Sequence, residues 1–140
     1  MNLPFPQALR VLIIDDENIV RAHLRMLLND LQIQEVMEAE SGMDALEILL
    51  DVNRPFPDII ITDMLMAEMD GIEFCNTVRR SEMLRNVGVP IIMLTSAKDP
   101  FLHGVSKQVG ALHVVNKPIT SEKLSNLIEA VIRSVPVEAL

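Results

Sequence analysis

Short apolar runs alternate along the chain with segments whose apolar residues recur at helical spacing. The apolar runs predict strands, and they cover residues 11–14, 35–39, 58–62, 89–94 and 111–115. The segments with apolar residues three or four positions apart predict helices, and they cover residues 19–31, 42–50, 71–80, 100–109 and 121–135. Strand and helix therefore alternate five times, which is typical of a parallel sheet covered by helices.

The character of each run predicts its place in the sheet. The first, third and fourth strands are apolar almost throughout, as strands covered on both faces are. The second strand is half polar, which indicates a sheet edge. Because crossovers between parallel strands are right-handed, helices are expected on both faces. We predict an α/β fold with a doubly wound five-stranded parallel sheet in the order 2-1-3-4-5, as in flavodoxin-like proteins.

Two predictions concern the helix surfaces. On the second helix, Leu46, Leu49 and Leu50 are expected to face inward. On the first helix, a group of charged or polar side chains is expected to form a solvated face. This group consists of Arg21, His23 and Arg25.

Composition narrows the functional classes. The 140 residues fit one domain, and 49% of them are apolar, enough for a sizeable core. The net charge of −8 disfavours direct binding to DNA or RNA, whose phosphates it repels. Four Phe with no Trp or Tyr argue against stacking on nucleic-acid bases.

Cysteine content and hydropathy indicate the compartment. Cys75 is the single cysteine of the sequence, so no internal disulfide is possible, and we expect it in the core. No apolar run approaches the length of a membrane span. The first ten residues do not have the pattern of a signal peptide. We therefore expect a cytoplasmic protein that does not associate with membranes.

Charged and hydroxyl residues follow or end the predicted strands. Asp15 and Asp16 follow the first strand, Asp63 the third, Thr95 the fourth and Lys117 the fifth. The carboxyl ends of parallel strands lie side by side, and ligands of such sheets bind there. Three carboxylates and one ammonium are thus predicted to share a pocket, which indicates a divalent metal and a phosphoryl group.

Asp15, Asp16, Lys117 and Thr95 also have ordinary structural explanations, whereas Asp63 leaves several chemical roles open. Asp15 and Asp16 precede a helix, whose N-terminus acidic side chains stabilise. Lys117 fits a surface lysine before a turn, although a Lys–Pro bond can also be cis and orient the side chain. Thr95 fits a polar residue satisfied by its own surroundings. Asp63 fits a metal ligand, a general base or a nucleophile that forms an acyl phosphate.

Four motifs, taken together, resemble the receiver domain of response regulators in two-component signalling. They are VLIIDDE at 11–17, DMLMAEMDG at 63–71, PIIMLTS at 90–96 and NKP at 116–118. The resemblance covers residues 9–135. Residues 1–8 are then expected to be an N-terminal extension, and residues 136–140 a tail or the start of a linker.

The resemblance implies a role for each pocket residue. Asp63 would be the phosphoacceptor, and Asp15, Asp16 and Asp63 would hold Mg²⁺ with the backbone carbonyl of Leu65. Thr95 and Lys117 would bind the phosphoryl group and transmit its presence. Such a domain catalyses only its own phosphorylation and dephosphorylation, so it is not an enzyme in the usual sense.

The resemblance also implies partners and leaves alternatives. A histidine kinase or phosphotransfer protein would supply the phosphoryl group, and a downstream target protein or a second copy of the chain would bind in response. One alternative is a docking or dimerisation module with little switching. Another is a phosphohydrolase of the haloacid-dehalogenase type. That class needs a second Asp two residues after the nucleophile, where this chain has Leu65.

Several positions depart from the usual receiver pattern. Ala67 stands where most receivers have Pro, so the loop after Asp63 is expected to be less stiff. Val114 replaces the aromatic that usually moves with Thr95, and His113 is expected on the opposite face of its strand. Coupling between phosphorylation and a partner surface is therefore expected to be weak.

Two apolar residues predict a long-lived acyl phosphate. Leu65 and Ala97 lie two residues after Asp63 and Thr95, at positions that flank the path of attacking water in receivers. Neither side chain can orient a water by hydrogen bonding. We therefore expect slow self-dephosphorylation.

Overall fold

The computed structural model of the chain describes residues 9–134. The strands, β1 to β5, are Arg10–Ile14, Glu35–Ala39, Ile59–Asp63, Ile91–Thr95 and His113–Asn116. The helices, α1 to α5, are Asn18–Asp30, Gly42–Leu50, Gly71–Arg80, Pro100–Gln108 and Ser121–Ser134. All ten elements occur where the sequence predicts them, with ends that differ by one or two residues at most. The predictions for residues 1–8, 135 and 136–140 lie outside the described residues.

All five strands pair in parallel, in the order β2-β1-β3-β4-β5. The predicted doubly wound sheet is confirmed, and β2 is an edge strand as its half-polar sequence indicates. Asp63 pairs with Leu94, and Thr95 pairs with Asn116. This register brings the carboxyl ends of β3, β4 and β5 to the same edge of the sheet.

Alternate residues of the central strands enter two separate cores. On one face, Val11 and Ile13 pack with residues of α1 and α5 such as Leu28 and Ile128. On the other face, Leu12 packs with residues of α2 and α3. Burial of both faces explains why the central strands are apolar at nearly every position. Cys75 lies in this second core and is fully buried, as predicted.

The fifth strand begins later than its apolar run. Gly110 adopts a φ of 112°, which only glycine tolerates readily, and this turns the chain after α4. The Ala111 amide donates to the carbonyl of Ser106, and the Leu112 amide donates to the carbonyl of Ile91. These two residues therefore lead into β5, and His113 is its first residue.

Two predictions about helix surfaces are each wrong at one residue, Leu50 on α2 and Arg21 on α1, while Leu46 and Leu49 face inward and His23 and Arg25 are exposed as predicted. Leu50 is 48% exposed, whereas the buried positions of α2 are Gly42, Ala45 and Leu49. Leu50 lies about 100° around the helix from Leu49, which takes it off this face. Arg21 is only 7% exposed because its side chain turns toward the ends of β1 and β2. Among residues 9–134, no helix is both long enough and apolar enough to cross a bilayer.

Candidate functional site

Four charged side chains meet at the carboxyl edge of the sheet. Carboxylate oxygens of Asp15, Asp16 and Asp63 all lie within 4.8 Å of one another. Lys117 Nζ is 3.3 Å from Asp15 Oδ2 and 3.2 Å from Asp63 Oδ1. The loops after β1 and β5 and the last residue of β3 supply these groups. Among residues 9–134, residues far apart in the chain thus form one acidic pocket with the ammonium of Lys117 beside it.

Asp15 is the most deeply buried member of the pocket, with 2% of its surface exposed. Its amide donates to the carbonyl of Ala39 at 3.2 Å, which extends the pairing of β1 with β2. Its Oδ1 accepts a hydrogen bond from the Glu17 amide at 2.9 Å. These bonds hold the carboxylate so that Oδ2 faces Lys117, while exposed Asp16 extends toward solvent.

Asp63 is held by the backbone around it. The Met64 amide donates to Asp63 Oδ1 at 3.0 Å, and the side chain of Asp63 is 13% exposed. The Gly71 amide donates to the carbonyl of Met64 at 2.8 Å, so the start of α3 lies against the end of β3. A Cβ at position 71 would lie 2.2 Å from the carbonyl oxygen of Asp63. Glycine is therefore required there by close packing of the backbone.

Lys117 enters the pocket from the loop after β5. Its amide donates to the carbonyl of Thr95 at 2.8 Å, and its peptide bond to Pro118 is cis. The side chain is 25% exposed and reaches across β4 to the carboxylates. Lys117 thereby links the β5 side of the edge to the β1 and β3 side.

Burial and charge act in opposite directions on these groups. Burial raises the pKa of Asp63 and the nearby charge of Asp15 raises it further, against the attraction of Lys117. Burial alone would lower the pKa of Lys117, but attraction to Asp63 and Asp15 outweighs burial and raises it. Lys117 is therefore charged at neutral pH. Three carboxylates facing one ammonium favour an additional cation.

Thr95 is the last residue of β4 and is 1% exposed. Its Oγ1 accepts a hydrogen bond from the Ala97 amide at 2.9 Å. The carbonyl of Ala97 lies 2.9 Å from Nε2 of His103 on α4. The hydroxyl is thus placed on the strand next to Asp63, and in this structure it is bonded to its own loop.

Leu65 lies two residues beyond Asp63, in the loop between β3 and α3. Its side chain is 52% exposed and forms an apolar surface beside the pocket. Glu68, in the same loop, has a φ of 64°. Asp70 ends the loop and caps α3 by accepting from the Glu73 amide at 2.8 Å. The loop is therefore anchored at both ends, by Met64 and by Asp70.

Arg21 is the neighbour of the site that the sequence interpretation missed. Its Nη1 donates to the backbone carbonyl of Asp15 at 2.6 Å, inside the protein. A signal for this burial is present in the sequence. Arg21 precedes Leu24 and Leu28 by three and seven positions, so it lies on the buried stripe of α1.

The sequence of this chain is similar to one protein family and to individual known proteins. Residues 11–129 match the family model described as the response regulator receiver domain. The chain is 34% identical over 123 residues to the transcriptional regulatory protein AfsQ1 of Streptomyces coelicolor, covering 88% of this chain and 51% of that protein. It is 31% identical over 133 residues to protein PilG of Pseudomonas aeruginosa, covering 94% of each. This chain thus spans about half of the first relative and nearly all of the second.

A solved structure shows the same architecture. The signal receiver domain of a signal transduction histidine kinase from Syntrophus aciditrophicus superposes with a TM-score of 0.79 at 29% identity. The superposition covers 93% of this chain and 94% of that one. The similarity therefore extends over nearly the whole of both chains.

Proposed function

The chain belongs to the response regulator receiver domain family, a phosphoacceptor family of two-component signalling, and we propose that its phosphoacceptor is Asp63. The donor would be a phosphohistidine on a histidine kinase or phosphotransfer protein. The observation that carries this proposal is the position of the Asp63 carboxylate. It ends a central strand, and Lys117 Nζ lies 3.2 Å from it.

The proposed reaction is a phosphoryl transfer between two side chains. An oxygen of the Asp63 carboxylate attacks phosphorus, the bond from phosphorus to the donor imidazole breaks, and an acyl phosphate forms. The imidazole nitrogen leaves with the electron pair and takes a proton from solvent. The ammonium of Lys117 offsets the negative charge on the phosphoryl oxygens during transfer.

The acidic pocket fits a hard divalent cation. Mg²⁺ binds through one or two carboxylates together with other oxygen ligands, and Asp15, Asp16 and Asp63 place carboxylate oxygens within 4.8 Å of one another. These residues, with the backbone carbonyl of Leu65, would hold Mg²⁺. When bound, the ion would offset charge on the phosphoryl oxygens. Asp15 would also keep Lys117 oriented toward Asp63.

Thr95 is proposed to bind the phosphoryl group through its hydroxyl. Its position at the end of β4, next to the end of β3, supports this role. The Oγ1 atom now accepts from the Ala97 amide, and a hydroxyl can donate while it accepts. Binding a phosphoryl oxygen would therefore pull on the loop that carries Ala97.

The outcome of phosphorylation is proposed to be a change in affinity for a downstream target or for a second copy of the chain, in the cytoplasm. A second candidate function is a docking or dimerisation module with little switching. Val114 favours this alternative, because it is a small side chain, partly buried against the core face that holds Met93. Aspartyl phosphate turnover, rather than conversion of a separate substrate, is the proposed chemistry of the switch.

Phosphorylation of an Asp63→Asn variant tests the central assignment. The purified chain, incubated with acetyl phosphate and Mg²⁺, is expected to gain the mass of one phosphoryl group, and the variant is expected to gain none. Asp44→Asn is the matched control because Asp44 is an exposed carboxylate on α2 that does not belong to the group of Asp15, Asp16 and Asp63. Labelling of Asp63→Asn equal to that of the wild type would reject Asp63 as the acceptor.

The same preparation separates the two candidate functions. Beryllofluoride with Mg²⁺ mimics a bound phosphoryl group. If the protein is a phosphorylation-dependent switch, we expect the mimic to shift the amide resonances of residues in the pocket and on α4. If it is a docking module that does not bind the mimic, we expect no shift in either region.

A further inference from the structure

Arg21 is a buried charge that the proposed chemistry does not use. It lies in the second turn of α1, and its side chain is 9% exposed. Burying a guanidinium is costly unless its donors are satisfied. The groups that accept hydrogen bonds from the Arg21 guanidinium therefore indicate its role in the structure.

The guanidinium contacts three separate segments. Nη1 donates to the carbonyl of Asp15 at 2.6 Å, and Nη2 donates to Asn18 Oδ1. On the β2 side, Nε is 3.3 Å from Glu38 Oε1, and Nη2 is 3.8 Å from Glu40 Oε1. The planar fork of arginine can make such divergent contacts at once, whereas the ammonium of lysine is a single point charge. Arg21 thus connects the loop after β1 to the end of β2.

These contacts bear directly on the placement of Asp15. Its amide donates to Ala39 of β2, and its carbonyl accepts from Arg21, which is itself anchored on Glu38. The backbone of Asp15 is therefore held on both sides before its carboxylate reaches Lys117. Asp16 follows in the chain, so the same contacts fix where its side chain begins.

We propose that Arg21 is a positioning residue for the cation site formed by Asp15, Asp16 and Asp63. It touches neither the cation nor the phosphoryl group, and it acts by holding the backbone from which two of the carboxylates project. This inference rests on the proposed function, because it assumes that the pocket binds Mg²⁺. Residues that orient metal ligands typically contribute about 10- to 100-fold to metal affinity.

Because Arg21 is positively charged, the direction of the change in Mg²⁺ affinity on its substitution tests the proposal. A positive group near the pocket repels Mg²⁺, so removing its charge alone would strengthen Mg²⁺ binding. Loss of positioning would weaken binding instead. Arg21→Met removes both charge and hydrogen bonds, while Arg21→Lys keeps the charge and loses the fork. If Arg21 positions the site, both variants bind Mg²⁺ more weakly.

Arg25 is the matched control within the same helix. It also pairs with Glu38, but its side chain is 51% exposed and does not take part in the contact that Arg21 makes with Asp15. Arg25→Met therefore removes one positive charge and one contact to Glu38 while leaving the support of Asp15 in place. Its affinity for Mg²⁺ is expected to remain within about twofold of the wild type, as for an exposed ion pair.

The experiment is a titration with Mg²⁺ alone, followed through the amide resonances of Glu17 and Met64. These amides donate to the carboxylates of Asp15 and Asp63, so they report the pocket directly. Arg21→Lys and Arg21→Met are expected to raise the Kd for Mg²⁺ by roughly 10- to 100-fold. A Kd that is unchanged or lower in both variants, in a wild type that binds Mg²⁺, overturns the positioning role but not the proposed function. A wild type that binds no Mg²⁺ overturns both.

Thermal unfolding without Mg²⁺ separates positioning from simple stabilisation. A purely structural role for Arg21 would lower the Tm of the variants and leave the Kd of their folded fraction unchanged, which contradicts the proposal. If Arg21→Met does not fold, Arg21→Lys and Asn18→Ala serve in its place. Asn18→Ala removes one acceptor of the guanidinium and is expected to weaken Mg²⁺ binding less than Arg21→Lys does.

Discussion

The carboxyl edge of the sheet has two halves that are built differently. On the β1 and β3 side, the carboxylates of Asp15 and Asp63 each accept a backbone hydrogen bond and each lie next to Lys117. On the β4 and β5 side, the Thr95 hydroxyl is bonded to the Ala97 amide, and Val114 is a small, partly buried side chain. In the first half, ion pairs and backbone hydrogen bonds hold the charged side chains. In the second half, one hydrogen bond within the loop and the packing of a small apolar side chain hold the structure.

This difference implies that accepting a phosphoryl group and reporting it depend on different residues. The charged half has direct bonds between the groups that would carry out the transfer. The other half reaches α4 through a chain of short contacts, from Thr95 to Ala97 and from Ala97 to His103. A substitution in the second half that leaves Thr95 in place, such as one at Val114, is therefore expected to leave phosphoryl transfer intact.

The largest expected effect comes from removing the charge that joins the two halves. Lys117→Met is expected to slow phosphorylation of the chain by acetyl phosphate by roughly 100-fold, the scale for losing one stabilising donor. Lys123→Met, which removes an exposed lysine from α5, is the control and should leave the rate unchanged. Equal rates for both variants would show that Lys117 has no part in the transfer.

The next effect concerns the backbone that supports Asp63. Gly71→Ala places a Cβ within 2.2 Å of the Asp63 carbonyl, so α3 must move away from β3. We expect a loss of roughly 1–3 kcal/mol in the free energy of unfolding, as for overpacking, and weaker Mg²⁺ binding.

Gly104→Ala is the matched substitution on the β4 and β5 side. A Cβ there meets nothing within 4 Å, and alanine favours a helix interior by about 0.5–1 kcal/mol. Urea unfolding of both variants should therefore give changes of opposite sign. A Gly71→Ala protein as stable as the wild type would mean that the approach of α3 to β3 is not tight.

A smaller effect is expected on the lifetime of the acyl phosphate. The exposed, apolar side chain of Leu65 cannot orient a water beside Asp63, so we expect slow self-dephosphorylation. Leu65→Asn should shorten the half-life about fivefold, since one hydrogen bond to the attacking water contributes about 1 kcal/mol. Leu50→Asn, at a similarly exposed leucine on α2, is the control. A wild-type half-life of only seconds would contradict this prediction.

The smallest expected effect is on transmission across the β4 and β5 half. Val114→Phe supplies the bulk that receivers usually have at this strand position, and it should enlarge the beryllofluoride-induced shifts of α4 amides without changing the phosphorylation rate. Val115→Phe is the control, because Val115 packs against the opposite core. Equal shifts in wild type and Val114→Phe would mean that the contact from Ala97 to His103 already couples the site to α4.

Local periodicity was sufficient to predict the ten elements, and the order of the sheet was predicted from its likeness to flavodoxin-like folds. Residues 11–14 and 91–94 are buried because helices cover both faces of the parallel sheet. Their sequences are therefore continuously apolar, which predicts a buried strand. The positions of Asp15, Asp63, Thr95 and Lys117 followed from the same runs, since each lies where a predicted strand ends. That these ends meet in space follows from parallel pairing, which the alternation of strands and helices already implies.

Burial of particular side chains was less predictable. The charge of Arg21 indicated a solvated face, but the carbonyl of Asp15 and the carboxylate of Glu38 lie where its side chain ends. The apolar side chain of Leu50 indicated the core, but α2 presents only the face of Ala45 and Leu49 to the sheet. In both cases burial depends on neighbours in other elements of the fold, and the hydropathy of one residue carries no information about those neighbours.

The sequence by itself determined the fold, the edge of the sheet where the chemistry lies and the residues that form the acidic pocket. These follow from periodicity and from strand ends, which are properties of short stretches of chain. The tertiary structure alone decided that Lys117 bridges Asp15 and Asp63, that position 71 must lack a Cβ, and that Arg21 is buried against the backbone carbonyl of Asp15. These depend on distances between different strands, helices and loops, and such distances are set only when the helices pack on the sheet.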